Sequence, residues 1–168
     1  VLTTTTKVGI KMGLDQYLNV RKYFGGYDFC KEKETYVEIV KSSGMTDVLD
    51  STSSPHLYVS GTAIYWRKAN SIHGWFNGLT DEVDNCQEIP VSRDHLEQLS
   101  SACKTVLLDN SMAYKLLPPT VGFFFGGEEI DEWYLADLEH TYKEIDKLLE
   151  KPKVIRFGVR LSGLMVTV

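Results

Sequence analysis

Trp66, Asn70 and His73 sit at i, i+4 and i+7 in the middle of the chain, and Asn77 extends the series to i+11. On a helix, where each residue turns ~100°, these four form one stripe. An indole offers apolar area and one N–H donor, while an amide and an imidazole add directional donors and acceptors. Such a stripe suits ligand binding, and Tyr65, Trp66, Arg67 and Asn70 are the candidate binding residues. The plainer reading of the same residues is architectural: Trp66 closes the edge of a core and His73 bonds a neighbouring strand. Lys68 and Arg67 point elsewhere on that helix and read as solvated cations, with Arg67 a possible anion clamp.

The second segment with chemical content runs from Phe123 to Glu132. Gly126-Gly127 stand between an apolar run and a helix start, a place where exposed amides can attract phosphate. Glu128, Glu129, Asp131 and Glu132 crowd that start and would repel an anion, and the glycines lack the spacing of a dinucleotide fingerprint or a P-loop. Carboxylates in a first helical turn also have an ordinary role, complementing the helix dipole by ~0.3–1 kcal/mol each. The catalytic reading makes Asp131 and Glu132, joined by His73 through folding, an acid–base set or the ligands of a divalent ion. No His-Glu-x-x-His is present and His56, His73, His95 and His140 are scattered, so no metal site is assigned. No cofactor follows from the sequence. There is no Gly-x-Ser-x-Gly, and Cys30, Cys86 and Cys103 carry no local signature of a nucleophile.

These residues need a scaffold, and hydrophobic periodicity supplies its outline. Leu14 to Tyr23 reads as a half-exposed strand, and the alternation of Val37 and Ile39 with Glu38 predicts a second strand over Glu34 to Lys41. Serine-rich Ser42 to Pro55 reads as a long surface loop, and His56 to Ser60 as a short strand. Tyr65, Ala69, Ile72, Phe76 and Leu79 then recur within about 40° of one line, which predicts a helix. Cys86 to Val91 is extended. Ser92 is a good N-cap for a helix whose inner stripe is Leu96, Leu99, Cys103 and Val106, ending near Asn110. Met112 to Leu117 adds a helical turn, stopped by Pro118-Pro119. Val121 to Phe125 reads as a buried strand, Glu128 to Lys151 as the longest helix with Tyr134, Leu138, Ile145 and Leu148 inside, and Ile155 to Leu161 as a strand with one wet face. The expected fold is one α+β domain over residues 12–168, a small antiparallel or mixed sheet with about three helices packed on one face. Residues 1–11 read as a disordered leader, and Met12 as a usable initiator.

Composition agrees with that size and class. The 168 residues are 43% hydrophobic and 24% charged, the mix of an ordinary globular domain. A net charge of −5 opposes a duplex-binding role resting on phosphate neutralisation. The charge is uneven: residues 128–150 hold nine acids against two lysines, while Lys151, Lys153, Arg156 and Arg160 follow with no acid. The acidic helix and basic strand complement each other, or the helix faces a partner. Three widely spaced cysteines indicate neither a disulfide framework nor a zinc knuckle, which points to a reducing cytoplasm. No stretch reaches the ~20 apolar residues of a membrane span.

Several motifs together resemble a family of small bacteriophage and prophage proteins. They are Met12-Gly13-Leu14-Asp15-Gln16-Tyr17-Leu18, Tyr65-Trp66-Arg67-Lys68-Ala69-Asn70 with His73 and Trp75, Val91-Ser92-Arg93, and Phe123-Phe124-Phe125-Gly126 followed by Asp131-Glu132-Trp133-Tyr134 and Asp137-Leu138. The resemblance covers about Met12 to Glu150. The family has no assigned activity, so it implies a setting, an accessory protein inside an infected bacterium, and no reaction. Three functions stay open. The first is binding of a host protein or small ligand through the Trp66 stripe or the acidic helix. The second is an enzyme acting on a small metabolite or nucleotide through His73, Asp131 and Glu132, and the third a virion or replication assembly component. The oligomeric state is open as well.

Overall fold

The computed structural model describes residues 15–49, 53–80, 88–120, 129–151 and 156–162, the last by its backbone. In chain order it contains β1 (Asp15–Gly25), α1 (Lys33–Ser42), the short α2 (Thr46–Leu49), β2 (His56–Arg67), α3 (Asn70–Asn77), β3 (Glu88–Val91) and α4 (Arg93–Leu108). A 3-10 turn at Asn110–Met112 leads into α5 (Ala113–Leu116), and α6 (Glu132–Leu149) and β4 (Arg156–Ser162) complete it. The four strands form one antiparallel sheet in the order β2-β1-β4-β3. The chain is a single α+β domain, as the sequence pattern predicts, with six α-helices among the described residues where about three were expected.

Alternation sets the two faces of the sheet. Gln16 and Leu18 on β1 and Ile64 and Trp66 on β2 are buried, while their neighbours Tyr17 and Tyr65 turn the other way. Leu18 pairs with Ile64 and Asn19 with Thr62, so a bulge at Ala63 resets the register of the longer strand. The buried face meets Ile72 and Phe76 of α3, Leu96, Leu99, Cys103 and Val106 of α4, and Tyr134, Leu138 and Ile145 of α6, in one continuous core. Ser92 caps α4 by accepting the His95 N–H at 3.0 Å, and His95 Nδ1 accepts from Ser92 N. Helices α4 and α6 are strapped at Asp146, which accepts from the Ser100 hydroxyl and pairs with Lys104, each at 2.6 Å.

Two sequence expectations are corrected here. Glu34 to Lys41 is helical, lying within α1: Tyr36 and Val40, at i and i+4, are its buried residues, and they pack on Phe24 in a second small core. Contact with β1 decides the outcome over the β-branched composition, because tertiary burial outweighs a strand propensity worth ~1 kcal/mol. Gly26 serves this junction, since a side chain there would strike the Tyr36 ring at 2.6 Å. The second correction concerns the predicted helix from Tyr65 to Leu79. β2 runs through Gly61 to Arg67, and only Asn70–Asn77 is helical. Ile64, Tyr65, Trp66 and Arg67 alternate inside and outside with period two, and the turn at Lys68, with φ +61°, breaks the apparent helical line. Ser42 to Pro55 also holds a helical turn, α2. Val121 to Phe125, Cys86 and the leader 1–11 lie outside the described residues.

Candidate functional site

Because the chain changes from strand to helix at Lys68, Trp66, Asn70 and His73 are not one exposed stripe. All three are buried. The Trp66 indole N–H donates to Thr141 Oγ1 of α6 at 2.8 Å, inside the core. His73 lies on the buried side of α3, and burial holds its imidazole pKa below the ordinary value, which favours the neutral ring. The expected binding surface therefore has to be corrected: two strands and a helix enclose what a single helix would have displayed.

Tyr65 and Arg67 lie on the outward side of β2. The Tyr65 hydroxyl donates to Asp15 Oδ1 at 2.5 Å, and this bond, helped by burial, pushes its pKa up to about 12. Glu132 is exposed in the first turn of α6. Asp131 is the N-cap of α6, its Oδ1 accepting the Tyr134 N–H at 2.8 Å.

The two sequence segments singled out above nevertheless meet. Lys68 and Asn70, from the β2–α3 turn, face Glu129, Asp131, Trp133, Tyr134 and Asp137, from the start of α6, across a cavity of about 300 Å³. Of the predicted site residues, the cavity is lined by Asn70 and Asp131. Tyr65, Trp66, Arg67, His73 and Glu132 are not among its lining residues. The volume is at the small end of ligand pockets.

Each wall is fixed by packing. Gln16, fully buried opposite Trp66, donates from Nε2 to Ala69 O at 3.0 Å and holds the turn between Lys68 and Asn70. That turn keeps Lys68 in the left-handed region, where a residue with a Cβ is strained by ~1–2 kcal/mol. Tyr134 is anchored by its hydroxyl, which donates to Leu117 O at 2.8 Å. Burial, with Cys103 and Tyr114 nearby, pushes the phenol up to about 12, so it stays protonated. On the rim Trp133 is 81% exposed, a large indole outside the core formed by the described residues.

Electrostatically the cleft is acidic. Glu129, Asp131 and Asp137 contribute three carboxyl groups against the single ammonium of Lys68. Asp137 is half-buried, and burial, reinforced by Asp131 and opposed by His140, pushes its pKa up to about 6. It therefore changes charge near pH 6. Among the described residues no group of three His, Cys, Asp or Glu side chains is arranged to hold a metal ion. Cys103 is buried with its thiol pushed up to about 12, which makes it inert as a nucleophile.

Sequence reasoning missed Lys68, Trp133 and Asp137. A signal for the last was present: Asp131, Tyr134 and Asp137 recur every three residues on the side of α6 adjoining buried Leu138 and Thr141, which places an acid at the border of the core. No protein family, curated protein or solved structure matches the chain.

Proposed function

We propose that this chain is a binding protein, a phage-type accessory factor working in the cytoplasm of a bacterial host, and that it captures a cationic group of a host protein or small ligand. The observation that supports it is the meeting of Asp131, Asp137 and the exposed Trp133 indole around one cleft. A primary ammonium or guanidinium entering there gains charge-assisted hydrogen bonds from the carboxylates and a cation–π contact with the indole, the latter worth ~0.5–1 kcal/mol at exposed sites. The bound cation would draw Asp137 back to its ionised form. Because three acids stand against one lysine, an anionic ligand is disfavoured.

The test is calorimetric titration with spermidine, arginine amide and an uncharged amide of similar size. The two cations bind and the amide does not, and Asp137→Asn and Trp133→Ala each weaken the cations several-fold. If all three ligands behave alike, or if the variants bind cations as the parent does, the reading is wrong. A second reading, an enzyme, is favoured by one feature: the Asp137 carboxyl, pushed up to about 6 by burial, has the Asp131 carboxyl beside it in the same cleft, an arrangement in which a pair of carboxyls can divide acid and base roles. There Asp137 is the acid and Asp131 the base, and a neutral substrate keeps its affinity in Asp137→Asn while turnover is lost.

A further inference from the structure

Among the described residues, helices cover one face of the sheet and leave the other open, and the open face is the more aromatic. Tyr17 and Tyr65 lie side by side across β1 and β2 with ring centroids 5.1 Å apart. Six residues along β1, about 20 Å away at ~3.4 Å per residue, a second group gathers: Tyr23 and Tyr58 at 5.4 Å, with His56 stacked on Tyr23 at 5.8 Å. Tyr23, Tyr58 and Tyr65 are each about half exposed. Rings at this exposure contribute little to the core, which is built from the alternate residues Leu18, Phe24, Ile64 and Trp66.

Arginines accompany the rings. Arg21 lies over the Tyr58 ring at 5.8 Å, and Arg67 is exposed beside Tyr65 on β2. The central strand β4 carries no acid, and its register sets Arg156 opposite Arg21 and Arg160 opposite Tyr17. Among the described residues the acids beside these rings are Asp15, which accepts from the Tyr65 hydroxyl, and Glu88, which pairs with Arg21 at 2.7 Å. The acidic helix α6 packs on the other face, against α4 and through Trp66. The overall charge of −5 therefore misdescribes this face, where Arg21 and Arg67 stand beside the aromatic rings and the backbone register of β4 adds Arg156 and Arg160 next to β1.

We infer that the open face of the sheet is a platform for single-stranded nucleic acid. Unpaired bases stack on the Tyr17–Tyr65 and Tyr23–Tyr58–His56 groups, and arginines between them take the phosphates. A duplex, whose bases are already stacked on each other, offers this surface only its backbone. The occupant fits the face in two respects, since it is anionic where the face is cationic and planar where the face carries rings.

The experiment uses the intact chain and fluorescence anisotropy with labelled 20-mers of deoxythymidine and of uridine, and a 20-base-pair duplex. Either single strand binds, the duplex at least tenfold more weakly, and binding falls between 50 and 200 mM salt as arginine–phosphate contacts are screened. Preference between the two single strands decides between DNA and RNA. Tyr58→Ala and Tyr23→Ala, both exposed positions, each weaken binding about fivefold or more while circular dichroism is unchanged. Arg21→Gln and Arg67→Gln flatten the salt dependence, and Leu108→Ala on exposed α4 changes nothing. Duplex binding equal to single-strand binding, no binding of either strand at 50 mM salt, or tyrosine variants that bind as well as the parent would each overturn the inference. So would a self-associated chain whose open face is closed by a second copy.

Discussion

The Trp66 indole N–H and the Thr141 hydroxyl meet at 2.8 Å across 75 residues of sequence, fastening β2 to α6, and the same hydroxyl donates to Asp137 O at 2.6 Å. This contact joins the core packing of Tyr134, Leu138 and Ile145 in seating α6, which forms one wall of the acidic cleft. Thr141→Val keeps the shape and leaves the indole N–H without its acceptor in a buried place, at a cost of about 1–3 kcal/mol. Trp66→Phe in the Thr141→Val background costs less than Trp66→Phe alone, because the orphaned donor leaves with the indole. Urea midpoints for the four proteins of this cycle measure the coupling, and strict additivity would mean the hydrogen bond carries no energy.

Asp137 links stability to pH in a direction opposite to that of most carboxylates. Its folded pKa, about 6, lies above the ordinary value of 3.8, so between those values the folded chain holds the proton more tightly than the unfolded one. Stability therefore falls as pH rises from 4 to 6 and is then level. A rise from 3.8 to about 6 corresponds to ~3 kcal/mol, reduced to about 1 kcal/mol by the water that reaches a half-buried group. Asp137→Asn removes this penalty. Its melting temperature exceeds that of the parent at pH 7.5 and matches it near pH 4, and a gap that is the same at both values would show that the carboxyl titrates normally.

Much of the scaffold was legible because single elements announced themselves. Ser92 caps α4 as its spacing predicts, the buried line Leu96, Leu99, Cys103, Val106 is as read, and β1 and β4 are strands where the period-two pattern predicts them. The site was less so, for a reason located at Lys68. A strand and a helix joined by one left-handed residue imitate a longer helix here because Tyr65, an outward and exposed residue of the strand, falls in phase in the sequence with Ala69, Ile72 and Phe76, which are buried. Local periodicity could not separate these cases. Tertiary pairing does, because Gln16 and Leu18 provide the partners that make Ile64 and Trp66 a strand. The cleft itself depends on two segments about sixty residues apart, and no local pattern encodes that approach.

His73 supplies the opposing pH slope. Burial holds its folded pKa below the ordinary 6.5, so the unfolded chain takes up the proton first as pH falls, and stability is lost below about 6.5. In the parent protein this loss is partly masked between pH 4 and 6 by Asp137, whose effect runs the other way. In Asp137→Asn the histidine slope is no longer opposed by that carboxyl, and stability climbs as pH rises toward 7. Adding His73→Gln flattens that climb, whatever the double variant loses in overall stability. Chemical denaturation at four pH values reads the slope, and an unchanged slope in the double variant would assign the proton to another group.

Asp131 has two roles that one substitution cannot separate and two can. As N-cap it accepts the Tyr134 N–H at 2.8 Å, and as a cleft wall it supplies a negative charge. Asp131→Ala loses both, and the missing cap alone costs about 1 kcal/mol within a range of roughly 0.5–2. Asp131→Ser restores an oxygen acceptor at the same place without the charge. Thermal melts therefore separate the alanine variant from the parent and leave the serine variant close to it. Cation titration sorts them differently, with both variants weakened to a similar degree, since the ligand reads charge and the helix reads an acceptor. A serine variant that binds spermidine as tightly as the parent would leave Asp131 a cap and nothing more.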